Sequence, residues 1–177
     1  VELMRRGLHP MIIERRAEPS TLSRAVGITE GSMRILEPSG VAQRIRAEAI
    51  RLRGAILHHG RREIARLPLS DADPAIWCLP QDRTEALLAE AFTAMGGIIR
   101  RGVTLTGLRH EGCHLLAQTE GVEFPCSLLI GADGSHSTVR RAAGLEFPGH
   151  DLPEDWGVAD VVKPGESDGG WLRAEHF

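Results

Sequence analysis

The segment from Leu128 to Leu145 places a carboxylate and two arginines around a glycine turn. It reads LLIGADGSHSTVRRAAGL, so an apolar run ends at Ala132-Asp133-Gly134 and an arginine-bearing helix follows. The run predicts a strand buried on both faces, and Asp and Gly favour a turn at its end. A strand, an acidic turn and a helix N-terminus form a place where backbone N–H groups can meet phosphate. The alternative is an ordinary strand-to-helix connection.

A second carboxylate, Glu14, ends another apolar stretch. The chain starts VELMRRGLHPMIIERR, which predicts the end of a helix, a stop at Gly7 and a strand over Met11-Ile12-Ile13. An acidic residue at the end of the second strand of a dinucleotide-binding unit hydrogen-bonds ribose hydroxyls. Glu14 is a candidate for that role, and Arg15 beside it is assigned to the same site. The alternative is a solvated glutamate at a strand end.

The glycine motif that should precede Glu14 does not occur. In a dinucleotide fold a G-x-G-x-x-G turn comes about 20 residues before the acidic residue, whereas only 13 residues precede Glu14. We therefore expect most of the first βα unit to be missing from this chain.

The middle of the chain predicts helices and a hairpin. Gly31-Ser32 could open a helix that Pro38 stops, and a clear helical pattern ends at Gly96-Gly97. Ile50–Leu57 and Ile64–Leu67 predict two strands around a basic hairpin turn.

The later chain predicts short strands. Ile98-Ile99, 103–108, 114–119 and 122–129 read as strands, the last three forming a meander around Glu-Gly turns. Further strands are expected at 158–162 and from Trp171 onward.

Composition limits the classes of function. The net charge of −3 gives no general attraction to nucleic acid, and no apolar run reaches the ~20 residues needed to cross a membrane. The three cysteines are widely spaced and indicate neither disulfides nor a metal site. The start lacks the apolar region of a signal peptide, so a cytoplasmic location is expected.

The motif GADGSHSTVR resembles the Asp-Gly motif of the flavin-dependent aromatic hydroxylases, the p-hydroxybenzoate hydroxylase-like group A monooxygenases. Their pattern is roughly G-A-D-G-x-x-S-x-V-R, and seven positions match it: Gly131, Ala132, Asp133, Gly134, Ser137, Val139 and Arg140. In that family the motif lies beside the pyrophosphate of FAD and helps organise FAD and the nicotinamide nucleotide.

The resemblance implies a set of cofactor-binding residues. Asp133 and Arg140 would be the charged members of the site, and Gly134 would allow close backbone approach. Arg24 in SRAVGI matches an arginine that reaches the FAD pyrophosphate or ribitol, and Gln81 matches a glutamine near the isoalloxazine. No catalytic side chain and no metal ligand are expected, because the cofactor carries out the chemistry.

The resemblance also implies the fold. We expect an α/β protein: a Rossmann-like FAD-binding domain of the glutathione reductase type with a parallel sheet, an antiparallel β-meander crossover and the start of a substrate-domain β-sheet. Residues 1–148 would be the partial FAD-binding domain, with substrate-domain strands within about 50–80. Residues 149–177 would begin the substrate domain.

The implied function is that of an FAD-dependent monooxygenase that hydroxylates a small aromatic molecule with NAD(P)H and O₂. This chain would be a fragment of such an enzyme, and a homodimer is left open. Two alternatives remain: a non-catalytic remnant that acts as an interaction module, and a related FAD-dependent oxidoreductase of the reductase or halogenase type.

Overall fold

The computed structural model describes residues 1–21, 27–70, 74–112, 114–151 and 153, and the backbone of 171–176. In chain order the helices are α1 (Glu2–Arg5), α2 (Glu30–Leu36), α3 (Val41–Glu48), α4 (Gln81–Ala94) and α5 (Thr138–Ala142). The strands are β1 (Met11–Glu14), β2 (Gly27–Thr29), β3 (Ile50–Arg51), β4 (Gly54–His59), β5 (Arg62–Pro68), β6 (Ile76–Cys78), β7 (Ile98–Arg101), β8 (Leu105–Glu111), β9 (His114–Thr119), β10 (Glu123–Cys126) and β11 (Trp171–His176).

The chain divides into two compact units. The first contains residues 1–10, 21–97 and 158–177, and the second contains 11–20 and 98–157. The expected boundary between residues 148 and 149 concerns functional domains and stays a prediction.

The core of the first unit lies where α2, α3 and α4 pack together. Its buried side chains are Met33, Val41, Ala42, Ile45, Leu79 and Leu87. Thr29 caps α2 by accepting a hydrogen bond from the Ser32 N–H (3.4 Å), so this helix begins at Glu30, one residue before the predicted start. The predicted stop at Pro38 is confirmed, since a short 3₁₀ helix and then Gly40, with φ +77°, separate α2 from α3.

Two small sheets complete the first unit. β6 pairs antiparallel with both β2 and β3, and β4 pairs antiparallel with β5 and parallel with β11. The strand predicted from Trp171 onward is therefore present. The strand predicted at 158–162 lies outside the described residues.

The prediction of one continuous strand over Ile50–Leu57 was wrong. In the middle of this stretch the backbone changes its hydrogen-bonding partner. The Leu52 N–H donates to the Ile76 carbonyl (2.8 Å), whereas the next carbonyl, that of Arg53, accepts from the Leu69 N–H (2.8 Å). β3 and β4 consequently belong to different sheets. A sequence pattern records that a segment is extended, but not which neighbour each half pairs with.

The second unit contains a parallel strand pair and an antiparallel meander. β1 and β7 are parallel, with Met11 opposite Ile98 and Glu14 opposite Arg101. β8, β9 and β10 form the predicted meander, and α5 packs against β8.

The prediction of a buried strand at the start of the Asp-Gly segment was wrong. Leu128 and Ile130 are irregular and largely exposed, at 74% and 62%. Among the residues that the structure describes, no strand pairs with this segment. A strand needs a neighbour for its backbone N–H and C=O groups, so apolar composition alone does not make this segment a strand.

Candidate functional site

Asp133 organises the turn before α5. Its carboxylate accepts hydrogen bonds from the Ser137 hydroxyl (2.5 Å) and from the backbone N–H groups of Thr138 (2.6 Å) and Val139 (3.2 Å). The Ser137 hydroxyl, assisted by these two N–H groups, holds the pKa of the Asp133 carboxyl below its ordinary value. Asp133 is therefore a carboxylate at neutral pH, and its oxygens already face donors of its own segment.

The N-terminus of α5 is capped from within. Ser137 is the N-cap residue, and its hydroxyl oxygen accepts from the Arg140 N–H (3.0 Å). Together with Asp133, it satisfies the N–H groups of Thr138, Val139 and Arg140. The expectation that backbone N–H groups at this helix start meet phosphate does not hold for these three, because each has a partner inside the segment.

The two arginines of α5 reach back over the turn. Arg140 Nη2 donates to the Ser135 carbonyl (2.8 Å), and Arg141 Nη1 donates to the His136 carbonyl (2.8 Å). The Arg140 guanidinium also lies over the Phe147 ring, 4.6 Å from its centroid. Arg140 is half-buried, and among the described residues its Nε and Nη1 have no protein acceptor. These donors have the charge and geometry to bind a phosphate group.

Two glycines allow this backbone path for different reasons. Gly134 has φ +77°, in the left-handed region that glycine adopts without steric cost. Gly131 has no such angle, but a Cβ built on it would lie 2.8 Å from the Cβ of Val139. The chain therefore passes so close to α5 that only glycine fits. The sequence pattern included Gly131, but it did not predict this contact.

Glu14 ends β1 at the carboxyl edge of the parallel pair. Its Oε1 accepts from the Arg16 N–H (2.9 Å), and its carbonyl accepts from the Val103 N–H (3.0 Å). The side chain is half-buried, whereas Arg15 is exposed. Ligands of open α/β sheets bind at this edge, so the position suits the predicted role of Glu14.

Gln81 is the first residue of α4. The Pro80 carbonyl accepts the first helical hydrogen bond, which the Thr84 N–H donates (3.0 Å). Gln81 Nε2 donates to Glu85 Oε1 (2.8 Å). Arg24 lies outside the described residues.

The structure brings some of the candidates together. Asp133, Gly134 and Arg140 share one loop-and-helix segment of the second unit, where Glu14 and Arg15 also lie, while Gln81 belongs to the first unit. Phe147 was not predicted as a site residue. The sequence feature that could have identified Phe147 is an aromatic residue a few positions after a helix that carries an arginine.

The thiol of Cys78 is not set up as a nucleophile. Cys78 lies half-buried in β6, and burial raises the pKa of its thiol, which disfavours the reactive thiolate. Within the described parts of the chain, no cluster of His, Cys, Asp and Glu has the arrangement of a metal site. None of the helices in those parts is long and apolar enough to cross a membrane.

Two curated proteins are similar to this chain over most of its length. The 12-dehydrotetracycline 5-monooxygenase/anhydrotetracycline 6-monooxygenase of Streptomyces rimosus is 33% identical over 159 residues, which cover 85% of this chain and 31% of the relative. The 6-methylpretetramide 4-monooxygenase of Streptomyces rimosus is 34% identical over 174 residues, 91% of this chain and 30% of the relative. The chain thus spans about a third of the length of the curated relatives it matches.

A solved structure shows the same fold. The anhydrotetracycline hydroxylase OxyS from Streptomyces rimosus superimposes with a TM-score of 0.72 at 32% identity, covering 85% of this chain and 32% of that one. The sequence pattern described as the FAD binding domain matches residues 1–169. The chain therefore belongs to the FAD binding domain family and has its Rossmann-like α/β fold.

Proposed function

We propose that this chain is the FAD-binding part of a monooxygenase that hydroxylates an aromatic small molecule with NAD(P)H and O₂. Both relatives described above are monooxygenases, and their names refer to polycyclic aromatic compounds of the tetracycline type. When bound, FAD would supply the redox chemistry, with NAD(P)H as the reductant and O₂ as the oxidant. One oxygen atom of O₂ enters the product and the other leaves as water.

The observation that carries this proposal is the ordered segment from Asp133 to Arg140. The Asp133 carboxylate holds the turn and the start of α5. The half-buried Arg140 uses Nη2 for the Ser135 carbonyl, and its Nε and Nη1 have no acceptor in the described part of the chain. We assign Arg140, Asp133 and Gly134 to the region of the FAD pyrophosphate. A dinucleotide carries two phosphate charges, which suits a guanidinium held in place by its own protein.

The remaining candidates are assigned by their positions in the sequence. Glu14, with Arg15 beside it, would bind the ribose hydroxyls, as its place at the carboxyl end of β1 supports. Arg24 would approach the pyrophosphate or ribitol, and Gln81 the isoalloxazine side.

We propose that residues 1–148 form the partial FAD-binding domain and that 149–177 begin the substrate-binding sheet. The pairing of β11 with β4, and of β4 with β5, supports assigning β4 and β5, among the strands within 50–80, to that same sheet. We further propose that the protein works in the cytoplasm, where NAD(P)H is available. For the quaternary structure we propose a homodimer.

Flavin titration of the purified chain tests the proposal. We expect FAD to bind, and Arg140→Gln to weaken it by about 10- to 100-fold, because a charge-assisted hydrogen bond contributes roughly 1.5–3 kcal/mol. Arg141→Gln is the matched control, since Arg141 is the neighbouring arginine and donates to a similar carbonyl. A chain that takes up no FAD would instead be a non-catalytic remnant.

Isotope labelling tests the reaction itself. The FAD-loaded chain is incubated with NADPH, ¹⁸O₂ and anhydrotetracycline, and the products are analysed by mass spectrometry. We expect one ¹⁸O atom in a hydroxylated product. FAD binding with NADPH oxidation but no labelled product would favour a related FAD-dependent oxidoreductase.

A further inference from the structure

Phe147 is exposed yet has a defined partner. Its side chain is 69% exposed, so burial contributes little to holding it. The Arg140 guanidinium lies over its ring, 4.6 Å from the centroid. A cation over an aromatic face at this distance is attracted by the ring quadrupole.

The C-terminus of α5 brings the ring back over the arginine. Gly144 has φ +68°, and its N–H donates to the Arg141 carbonyl (3.0 Å). The Leu145 N–H donates to the Arg140 carbonyl (3.0 Å). These hydrogen bonds reverse the chain after the helix, so Phe147 is directed towards Arg140 by the backbone.

The guanidinium is thus held on two sides. Its Nη2 is bonded to the Ser135 carbonyl (2.8 Å), and one of its faces lies on Phe147. The neighbouring Arg141 bonds to the His136 carbonyl (2.8 Å) and to Thr138 Oγ1 (3.1 Å), and among the residues that the structure describes no aromatic ring lies against its guanidinium. The aromatic support therefore distinguishes the arginine of the motif from its neighbour.

We propose that Phe147 is a positioning residue that holds the Arg140 guanidinium ready for the cofactor phosphates. This inference rests on the proposed function, in which Arg140 contacts the FAD pyrophosphate. An arginine that is already ordered loses less side-chain entropy when a ligand binds. Phe147 would therefore strengthen FAD binding without touching FAD.

Three variants and two ligands test this role. Phe147→Leu keeps an apolar side chain but removes the aromatic face, Phe147→Tyr keeps the face, and Leu145→Ala changes another exposed residue of the same segment. FAD is compared with riboflavin, which has no phosphates. We expect Phe147→Leu to weaken FAD binding by about two- to ten-fold, to leave riboflavin binding unchanged, and Phe147→Tyr to restore FAD binding.

A second readout needs no ligand. The ring current of Phe147 should move the Arg140 side-chain proton resonances upfield in the wild type and in Phe147→Tyr, but not in Phe147→Leu. Arg140→Lys identifies these resonances. Absence of the shift in the wild type would overturn the inference whatever the ligands do.

The outcomes separate this inference from the proposed function. If Arg140→Gln weakens FAD binding and Phe147→Leu does not, the positioning role is wrong and the proposed function stands. If the wild type binds no FAD, the proposed function is wrong and the positioning role is wrong with it. Equal weakening of FAD and riboflavin by Phe147→Leu would indicate general structural damage and would also overturn the inference.

Discussion

At the residue scale, the Asp133 carboxylate stabilises its own turn, because its hydrogen bonds are made within its own segment. Three donors of the same segment, the Ser137 hydroxyl and the N–H groups of Thr138 and Val139, point at its two oxygens. A carboxylate next to the pyrophosphate of FAD would repel it unless its charge were balanced. These hydrogen bonds disperse that charge over the turn, so the acidic residue is compatible with the proposed phosphate-binding role of the segment.

The stability of the Asp133 turn should depend on pH. The folded-state pKa of this carboxyl is lowered from 3.8, chiefly by the Ser137 hydroxyl. The carboxylate therefore contributes stability that is fully present above pH 3.8 and is lost as pH falls through the lower, folded-state value. We expect Asp133→Asn to remove this part of the acid sensitivity, as measured by urea unfolding at several pH values. The exposed Asp151→Asn is the control, and identical acid profiles for wild type and Asp133→Asn would contradict the prediction.

Gly131 is predicted to tolerate no side chain. In Gly131→Ala the new methyl group would lie 2.8 Å from Val139 Cβ, and a Cβ is not the free end of a flexible side chain. We expect a loss of about 1–3 kcal/mol in the free energy of unfolding, which is typical of overpacking. Gly149→Ala is the matched control, because nothing lies within 4 Å of a Cβ at that position. Equal stability of the two variants would mean that the loop moves away from α5 at little cost.

At the element scale, the helices of the first unit depend on one shared core. Leu87 of α4 is fully buried with Met33 and Ile45, whereas the adjacent Leu88 is only partly buried against the same cluster. The ion pair between Arg83 of α4 and Glu48 of α3 is exposed, so it contributes little to stability. Apolar packing therefore holds α3 and α4 together.

Truncation of Leu87 should measure that packing. We expect Leu87→Ala to cost about 2–5 kcal/mol in the free energy of unfolding, since it leaves a cavity in a close-packed core. Leu88→Ala is the control on the same helix and should cost clearly less, because its side chain is partly solvated already. Urea unfolding, monitored by circular dichroism, gives both free energies. If Leu88→Ala cost as much as Leu87→Ala, the assignment of Leu87 to the core and Leu88 to its edge would be wrong.

At the scale of the whole molecule, FAD binding should appear as thermal stabilisation. A ligand present at 100 times its Kd stabilises the folded state by about 2.7 kcal/mol, which for a chain of this size raises Tm by roughly 5–10 °C. Riboflavin lacks the phosphates assigned to Arg140, so it should raise Tm less at the same concentration. A Tm that does not respond to FAD would contradict the proposal that this chain, at about a third of the length of its relatives, binds the cofactor.

Much of the candidate site followed from local patterns. The turn at Gly134, the hydroxyl cap of α5 and the end of β1 at Glu14 are each set by a few neighbouring residues, so the sequence could predict them. The meander of β8, β9 and β10 was predictable for the same reason, because short turns join its strands.

Other features were decided only by tertiary structure. Leu128 and Ile130 have the composition of a strand, but no strand among the described residues pairs with them, and the stretch from Ile50 to Leu57 divides between two sheets. Where strand pairing joins residues far apart in the chain, no local pattern records the partner.

The Asp-Gly segment contains features set by its local sequence and features set by tertiary structure. Its residue types by themselves determined the acidic turn, the capped helix and the resemblance to flavin hydroxylases, because short-range hydrogen bonds and glycine conformations follow from adjacent residues. Only the folded chain decided that Asp133 binds its own helix N-terminus and that Arg140 rests on Phe147. Those contacts depend on how the turn closes and how the chain reverses after α5, and both are properties of three-dimensional packing.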